Sequence, residues 1–532
     1  MPSIKEEIIS LAENHMEFDR FLRFGFAAIG IVICIVLLAI AFIHHKKLFS
    51  ATKSFSCWMG KYATYTWESI RYSNVKYLLL TSLGAYLYTS INLPLTNDEA
   101  LTYFHFLKCS VSDTMMHYTM PNNHIFFSLI KRLFIWLPGD LLCKMRFPAI
   151  LCSILMLAFS YRFVRKFYSE KTALVTIAIL SMSGMVLFYS SLARGYSLLL
   201  LFFVICLYSA FNIVKENNRK KDWFVFSICG AFGFYTMPSF MYPFVAISIY
   251  ILCYNYRHIK TQIGYGLGTL SLIYLLYLPV LLGSGWQSLF KNPVLIPNST
   301  EKTLAALPGF LSETLELLIC LPLYIVIPVI LICITFCFYK KDRKTLFLWV
   351  LFCTTPPIFI ILHSTIPFPR TFIYCSFVIV FLSVVTFREQ LGKIPNKILF
   401  PLLLVVQCLL FVNFQTNTTL YLRPLAVFNE LSKHILQKGK RLHVATANWD
   451  NSGFFYSIPN IQFEIERSGS ASSLTFSVEL KASVDTIHGY DYIFIESHLD
   501  ETKFRKPLEI YYPDSLESLF HPKPINIYKQ DE

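Results

Sequence analysis

The sequence predicts a polytopic α-helical membrane protein of about 12 transmembrane helices, followed by a small C-terminal α/β domain. Three observations predict it. Charged residues make up only 15% of the 532 residues, where a soluble protein carries ~25%, and mean hydropathy is +0.51. Apolar runs close to the ~20 residues that cross a bilayer recur up to about position 414. Beyond that the composition shifts. Residues 415–532 hold twelve basic and fifteen acidic side chains, a net −3, against +14 for the whole chain. The apolar chain offers no soluble basic face, so the positive charge points to membrane lipids and not to nucleic acid. With 49 Phe and 31 Tyr, disorder is excluded. The 14 Cys fall mostly in apolar runs with no CxxC pair, which reads as small buried thiols and not as a disulfide scaffold or zinc ribbon.

The first span, Phe21–Ile43, lies too far in and lacks the small-residue site of a cleaved signal peptide. It is expected to be retained. Further spans are expected at about 77–94, 145–163, 172–190, 195–214, 222–237, 239–255, 262–283, 317–338, 345–362, 371–387 and 397–414. The segment 122–137 is short and carries Lys131 and Arg132 in its middle. A charged pair at the bilayer centre costs several kcal/mol, so this segment is expected to lie in the interface. If it does not cross, six basic clusters share one side. They are 44–61, Arg162–Lys171, Arg219–Lys221, Arg257 with Lys260, Lys340–Lys344 and Arg388–Lys397. The positive-inside rule makes that side cytoplasmic. The opposite face then receives the loop 95–144, the turns near Arg194 and Pro238, the loop 284–316, the turn 363–370 and the tail.

The chain therefore divides into 1–76 (an extra helix and a cytoplasmic linker), 77–414 (the membrane body, with its first outer loop 95–144) and 415–532. In the tail, Pro424–Gln437 is helix-like, while Leu442–Ala447, Tyr492–Glu496 and Ile525–Tyr528 are strand-like.

The residues with chemistry lie on the outer face. Asn97-Asp98-Glu99-Ala100 follows the second span. A carboxylate there can serve as a general base toward a membrane-embedded substrate. Neighbours on a helix face different ways, so one of the pair is expected to point into a site and the other to orient it or bind a cation. Pro121-Asn122-Asn123-His124 opens the interfacial segment. Glu99, His105, His117 and His124 are the possible ligands of a divalent cation, at a spacing that matches no standard metal pattern. Arg194, in Ala193-Arg194-Gly195-Tyr196, and Arg370, in Pro367-Phe368-Pro369-Arg370 with Tyr374 one turn on, are outer-face guanidinia suited to bidentate phosphate binding. Each also has an ordinary reading: a solvated turn, a helix cap, or an Arg snorkelling to headgroups. Tyr235, Tyr242 and Tyr277 fit an interfacial belt.

An acidic pair after an early span, an Asn-Asn-His segment, Arg146-Phe147-Pro148 at a span start and Ala193-Arg194-Gly195-Tyr196 together resemble the GT-C glycosyltransferases. These include the protein O-mannosyltransferases and the bacterial lipid A aminoarabinose transferase. The resemblance runs over roughly 77–375, in order and in sidedness. Two features depart from it: the extra span Phe21–Ile43, and Asn122-Asn123-His124 in place of the common His-Pro-Pro. The resemblance implies a GT-C-like fold and a polyprenyl-phosphate-linked sugar donor. It implies inverting transfer to a lipid, glycan or protein hydroxyl at the outer face of the bacterial inner membrane, with the tail in the periplasm. Asp98 would be the base, with Glu99 its helper. Asn122, Asn123, His124, Arg146, Arg194, Tyr196, Arg370 and Tyr374 would contact substrates, Arg194 and Arg370 taking the carrier phosphate. No nucleotide cofactor is expected, in keeping with the lack of Gly-rich phosphate loops. The loop 284–316, with Trp286, Pro293, Pro297 and Pro308, is placed to cover the site. Two rivals remain. A lipid-linked-sugar transporter or flippase would carry charges inside its spans, where this chain has almost none. A polysaccharide ligase or polymerase using lipid-diphosphate glycans would share the same site.

Overall fold

The computed structural model describes residues 4–43, 67–118, 122–216, 219–290 and 299–418, positions 60 and 64, and six later segments: 442–446, 458–468, 474–478, 492–496, 507–509 and 525–529. All twelve apolar segments are helical over most of their length. Six helices are long and apolar enough to cross a membrane by themselves: Asp19–Ala39, Leu141–Phe167, Tyr196–Lys215, Tyr256–Gly283, Arg343–His363 and Asn396–Thr416. The number rises to 9 if each of three bent pairs is one span, and Pro238–Tyr254 and Tyr374–Thr386 are shorter apolar helices. Tyr196–Lys215 is the hub, with 83% of its apolar window buried. The helix Ile4–Ile43 is peripheral: only 6% of the window Asp19–Ala39 is buried, and it lies along Ile259–Gly283 through Gly30 against Leu278.

Sequence explains the breaks. Val75–Asn92 turns by 87° into Asn97–Leu107. Leu93 is extended (φ −69°, ψ 131°) because Pro94 follows and disfavours a helical residue before it. Glu170–Ser181 bends by 69° into Gly184–Ser190. Thr300–Ile319 meets Leu323–Tyr339 at 90°, with Cys320 left-handed (φ 61°) and Pro322 starting the next helix. The expected covering loop 284–316 is thus largely a helix, capped by Ser299 and packed on Phe372 through Phe310 at 5.9 Å. Pro293 and Pro297 lie outside the described residues. The short segment after Asn123 is the helix Ile125–Ile135. Its 11 residues reach ~16 Å, well short of a bilayer.

Direct contacts gather four of the basic clusters, 162–171, 219–221, 340–344 and 388–397, at one end of the bundle. Lys166 pairs with Glu216, which also holds Arg219. Lys171 donates to the carbonyls of Gly392 and Ile394 at 2.7 Å. Arg388 pairs with Asp342 at 2.8 Å. The cluster 44–61 lies outside the described side chains. Asp98, Arg194 and Arg370 share the other end.

In the tail, β1 (Leu442–Thr446), β2 (Leu474–Val478), β3 (Tyr492–Glu496), β4 (Pro507–Glu509) and β5 (Ile525–Lys529) form a sheet in the order β2-β1-β3-β5-β4. β1 runs parallel to β2 and β3, while β5 is antiparallel to β3 and β4. Three of the five strands lie where alternation predicted them. The segment 424–437 lies outside the described residues. The helix Ile458–Ser468 was not expected.

Candidate active site

The acidic pair sits on the one-and-a-half-turn helix Asn97–Thr102. Thr96 caps it in a capping box. Its side chain accepts from the Glu99 N–H, while Glu99 Oε2 accepts from the Thr96 N–H at 3.0 Å and its hydroxyl at 3.0 Å. This turns Glu99 back into the protein and, about 100° round the helix, leaves Asp98 facing outward. Glu99 is fully buried and Asp98 is 31% exposed.

Glu99 is saturated. Arg146 grips it with two bonds, Nε at 2.8 Å and Nη2 at 2.7 Å, and the Ala193 N–H adds a third at 2.7 Å. Burial alone would raise the Glu99 pKa, but the Arg146 charge and these donors outweigh it and hold the carboxyl below its ordinary value. Arg146 spends its other hydrogens on the carbonyls of Ser90, Leu93 and Pro94. It is buried, every N–H group is taken, and it serves as counter-ion and clamp for the 87° corner. For Glu99 likewise, the geometry leaves no lone pair turned to a substrate.

Asp98 lies between two guanidinia. Arg194 Nη2 is 3.6 Å from its Oδ2, and Arg370 Nη2 is also 3.6 Å away. At that distance these are ion pairs without direct hydrogen bonds. Arg194 sits in the break between Gly184–Ser190 and Tyr196–Lys215, anchored by Nη1 on Thr102 Oγ1 (3.1 Å) and the Asn122 carbonyl (3.2 Å). Its Nε is buried with no partner among the described residues. Arg370 lies in the turn Pro369–Phe372, over the Phe368 ring at 4.4 Å. Burial lowers the Arg370 pKa, but Tyr196, Asp98 and Tyr189 more than offset this, so it stays charged.

Three side chains hold the backbone around Arg194. Besides Glu99 on the Ala193 N–H, Lys131 Nζ donates to the Ala193 carbonyl at 3.1 Å. His124 Nδ1 accepts from the Gly195 N–H at 2.8 Å. A Cβ on residue 195 would lie 2.9 Å from the His124 ring, so glycine is what lets the imidazole approach. Burial first, then the charges of Arg194, Lys131 and Arg370, press the His124 pKa well below its ordinary value, so the ring is neutral. With Nδ1 accepting, the proton sits on Nε2. That N–H faces Arg194 Nη2 across 3.2 Å. Two donors meet there, a geometry that suits an acceptor oxygen.

The remaining expected residues are spread around this centre. Tyr196 stacks edge-on against His124 at 5.1 Å and on Tyr189 at 4.2 Å. Asn123 is buried, its amide donating to the Thr114 and His117 carbonyls at 2.8 and 2.9 Å, so it shapes the loop. Asn122 Oδ1 is buried and unpartnered among the described residues. Tyr374 is 1% exposed and packs in the core on Phe203 and Phe372. His105 and His117 stack at 6.3 Å. Among the described residues, no three His, Cys, Asp or Glu side chains gather to hold a metal. Arg132 is consumed by the carbonyls of Phe106, Leu107 and Cys109. Lys131, in the middle of the segment expected in the interface, is buried within the protein, with Phe127 beneath its Nζ. Thr96, Thr102 and Lys131 were missed from sequence. The first was readable, since Thr96-Asn97-Asp98-Glu99 is a capping-box pattern.

Comparison with known proteins follows the same lines. Residues 122–282 match the family of dolichyl-phosphate-mannose-protein mannosyltransferases. No curated protein sequence matches the chain. Among solved structures, ArnT from Cupriavidus metallidurans bound to undecaprenyl phosphate aligns over 85% of this chain and 97% of its own, with a TM-score of 0.53 and 10% identity. Its apo form aligns over 80% and 93%, with a TM-score of 0.51 and 10% identity. The arabinosyltransferase EmbB from Mycobacterium smegmatis is more distant, covering 61% of this chain and 32% of its own at a TM-score of 0.41 and 10% identity. The multi-pass helical body shares its fold with ArnT, and residues 122–282 match the mannosyltransferase family, so the chain is similar to membrane glycosyltransferases of the GT-C kind.

Proposed function

We propose that the chain moves a sugar from a polyprenyl-phosphate carrier to an acceptor hydroxyl, with inversion, using Asp98 as the base. One observation carries this reading: the Asp98 carboxylate flanked by Arg194 and Arg370 at 3.6 Å each. Base and phosphate-binding groups are thereby adjacent, as a one-step displacement requires. The acceptor oxygen attacks the anomeric carbon, the bond from that carbon to the phosphate oxygen breaks, and Asp98 takes the acceptor's proton. The departing phosphate gathers negative charge. Arg194, buried, and Arg370, half-buried, are already in place to stabilise it without reorganising. The His124 Nε2–H and Arg194 Nη2 supply a second pair of donors for a phosphate or sugar oxygen. A solved relative by fold is described as bound to undecaprenyl phosphate, which supports a lipid-phosphate donor here.

In this reading the twelve apolar segments make about twelve crossings. The basic end faces the cytoplasm by the positive-inside rule, and Asp98 and the tail's α/β domain face the periplasm of a bacterial inner membrane. Metal has no assigned part. The test is to delete the gene and compare cell-surface lipids, glycans and glycoproteins by mass spectrometry, with the carrier-linked sugars measured alongside. The expected result is one missing sugar and accumulation of its polyprenyl-phosphate donor. An unchanged inventory of both would contradict the reading.

A further inference from the structure

Helix Ile458–Ser468, from the C-terminal region, is seated on the acidic helix. Phe463 is fully buried in a cluster with Leu95, Ala100, Leu107, Leu142 and Met145. Its ring meets Tyr103 edge-on at 5.2 Å. Asn460 is buried too, and its Nδ2 donates to the Leu95 carbonyl at 3.3 Å. Glu466 accepts from Lys108 Nζ at 2.6 Å and from the Tyr103 hydroxyl at 3.2 Å. Arg467 reaches Asp140 at 2.5 Å. Asp140 is the N-cap of Leu141–Phe167, the helix that carries Arg146.

One short helix therefore touches the start of the acidic segment at Leu95, its end at Tyr103 and Lys108, and the first turn of the helix bearing its counter-ion. The half-exposed ion pairs contribute little alone. Phe463 and Asn460, both out of water, are the anchors. The elements they join are the two whose spacing sets the Glu99–Arg146 pair, and Asp98 is the next residue along. A shift of about 1 Å in a reacting group can cost ~10²-fold in rate.

We infer that helix Ile458–Ser468 is a brace that fixes the acidic helix against Leu141–Phe167 and so sets Asp98 against Arg194 and Arg370. Phe463 and Asn460 are then positioning residues for transfer, which gives the C-terminal region a part in the reaction. This rests on Asp98 being the base.

The test uses the full chain. Hydrogen exchange is read over 95–107, 140–146 and the hub helix 196–215. Transfer is read in membranes from cells lacking the wild-type gene, which supply donor and acceptor, and binding is read with undecaprenyl phosphate. In Phe463→Ala, exchange over 95–107 and 140–146 should speed up at least tenfold while 196–215 stays unchanged. Transfer should fall about 30–100-fold, with the Kd for undecaprenyl phosphate within about threefold, and Phe463→Leu should restore most of it. Unchanged exchange over 95–107, or a rise shared equally by 196–215, would overturn the brace. Should Phe463→Ala fail to fold, Asn460→Ala with Glu466→Gln carries the same test. If Asp98→Asn retains transfer, the reading of the base falls, yet the exchange data still decide whether the brace exists.

Discussion

Replacing Arg146 by Met strips the buried Glu99 carboxylate of its two guanidinium hydrogen bonds, at 2.8 and 2.7 Å, while keeping most of the apolar stem. The Ala193 and Thr96 donors remain, so the charge is still solvated in part. Three carbonyls at the 87° corner also lose their donor. Breaking one side of a fully buried pair costs about 3–5 kcal/mol, a large share of the ~5–15 kcal/mol that holds a typical native state. Glu99→Gln should lose a similar amount, because its amide would confront a donor and Arg146 would be left charged and unpaired. The double variant should lose less than the two singles together, by about 1–3 kcal/mol. Reversible unfolding in mixed detergent micelles measures all three. Losses that add to within about 0.5 kcal/mol would refute the pairing. The pH dependence follows from the same bond. Glu99 has a depressed pKa when folded, so its contribution is complete above the unfolded-chain value of 4.5 and disappears as pH falls through the folded value. The gap between wild type and Glu99→Gln should be flat above about pH 5 and narrow below it.

Gly195→Ala should cost about 1–3 kcal/mol and at least tenfold in transfer, because its Cβ meets His124 at 2.9 Å and drives the ring off the Gly195 N–H; a melting curve and an activity assay on the same sample check both halves. Arg370→Ala should weaken binding of undecaprenyl phosphate by about tenfold or more, as expected when a charge-assisted contact of ~1.5–3 kcal/mol is lost, and should leave acceptor affinity nearly unchanged; unaltered carrier affinity would remove Arg370 from the phosphate site. A cysteine placed at residue 98 in an otherwise cysteine-free chain should react with an impermeant reagent added outside the cell, and labelling only after the membrane is opened would reverse the proposed topology.

Sequence made the membrane body legible because burial in lipid demands long apolar runs, and each such run is helical over most of its length here. It also pointed to Asp98, Arg194 and Arg370, which lie up to 272 positions apart and meet at one carboxylate. Which of Asp98 and Glu99 turns inward was not read, although the Thr96 capping box carries that information. The pairing of Arg146 with Glu99 was not legible because the two come from different helices, 47 residues apart. The burial of Lys131 within the protein was not legible on a short amphipathic helix. The Ala193 carbonyl and the Phe127 ring give its Nζ a buried seat. The brace helix was invisible for a similar reason. Its apolar side is little more than Phe463 and its neighbours, and what it covers is over 300 residues upstream. Tertiary contacts between distant segments leave no local periodicity to read.

Asp98→Asn tests the central claim most directly. The substitution keeps the shape of the side chain and removes its ability to take a proton. In membranes from the deletion strain, transfer should fall by about 10²–10⁴-fold, the scale of a lost general base, while the protein keeps its thermal stability and its affinity for undecaprenyl phosphate. Transfer at the wild-type rate by a folded Asp98→Asn protein would contradict the account.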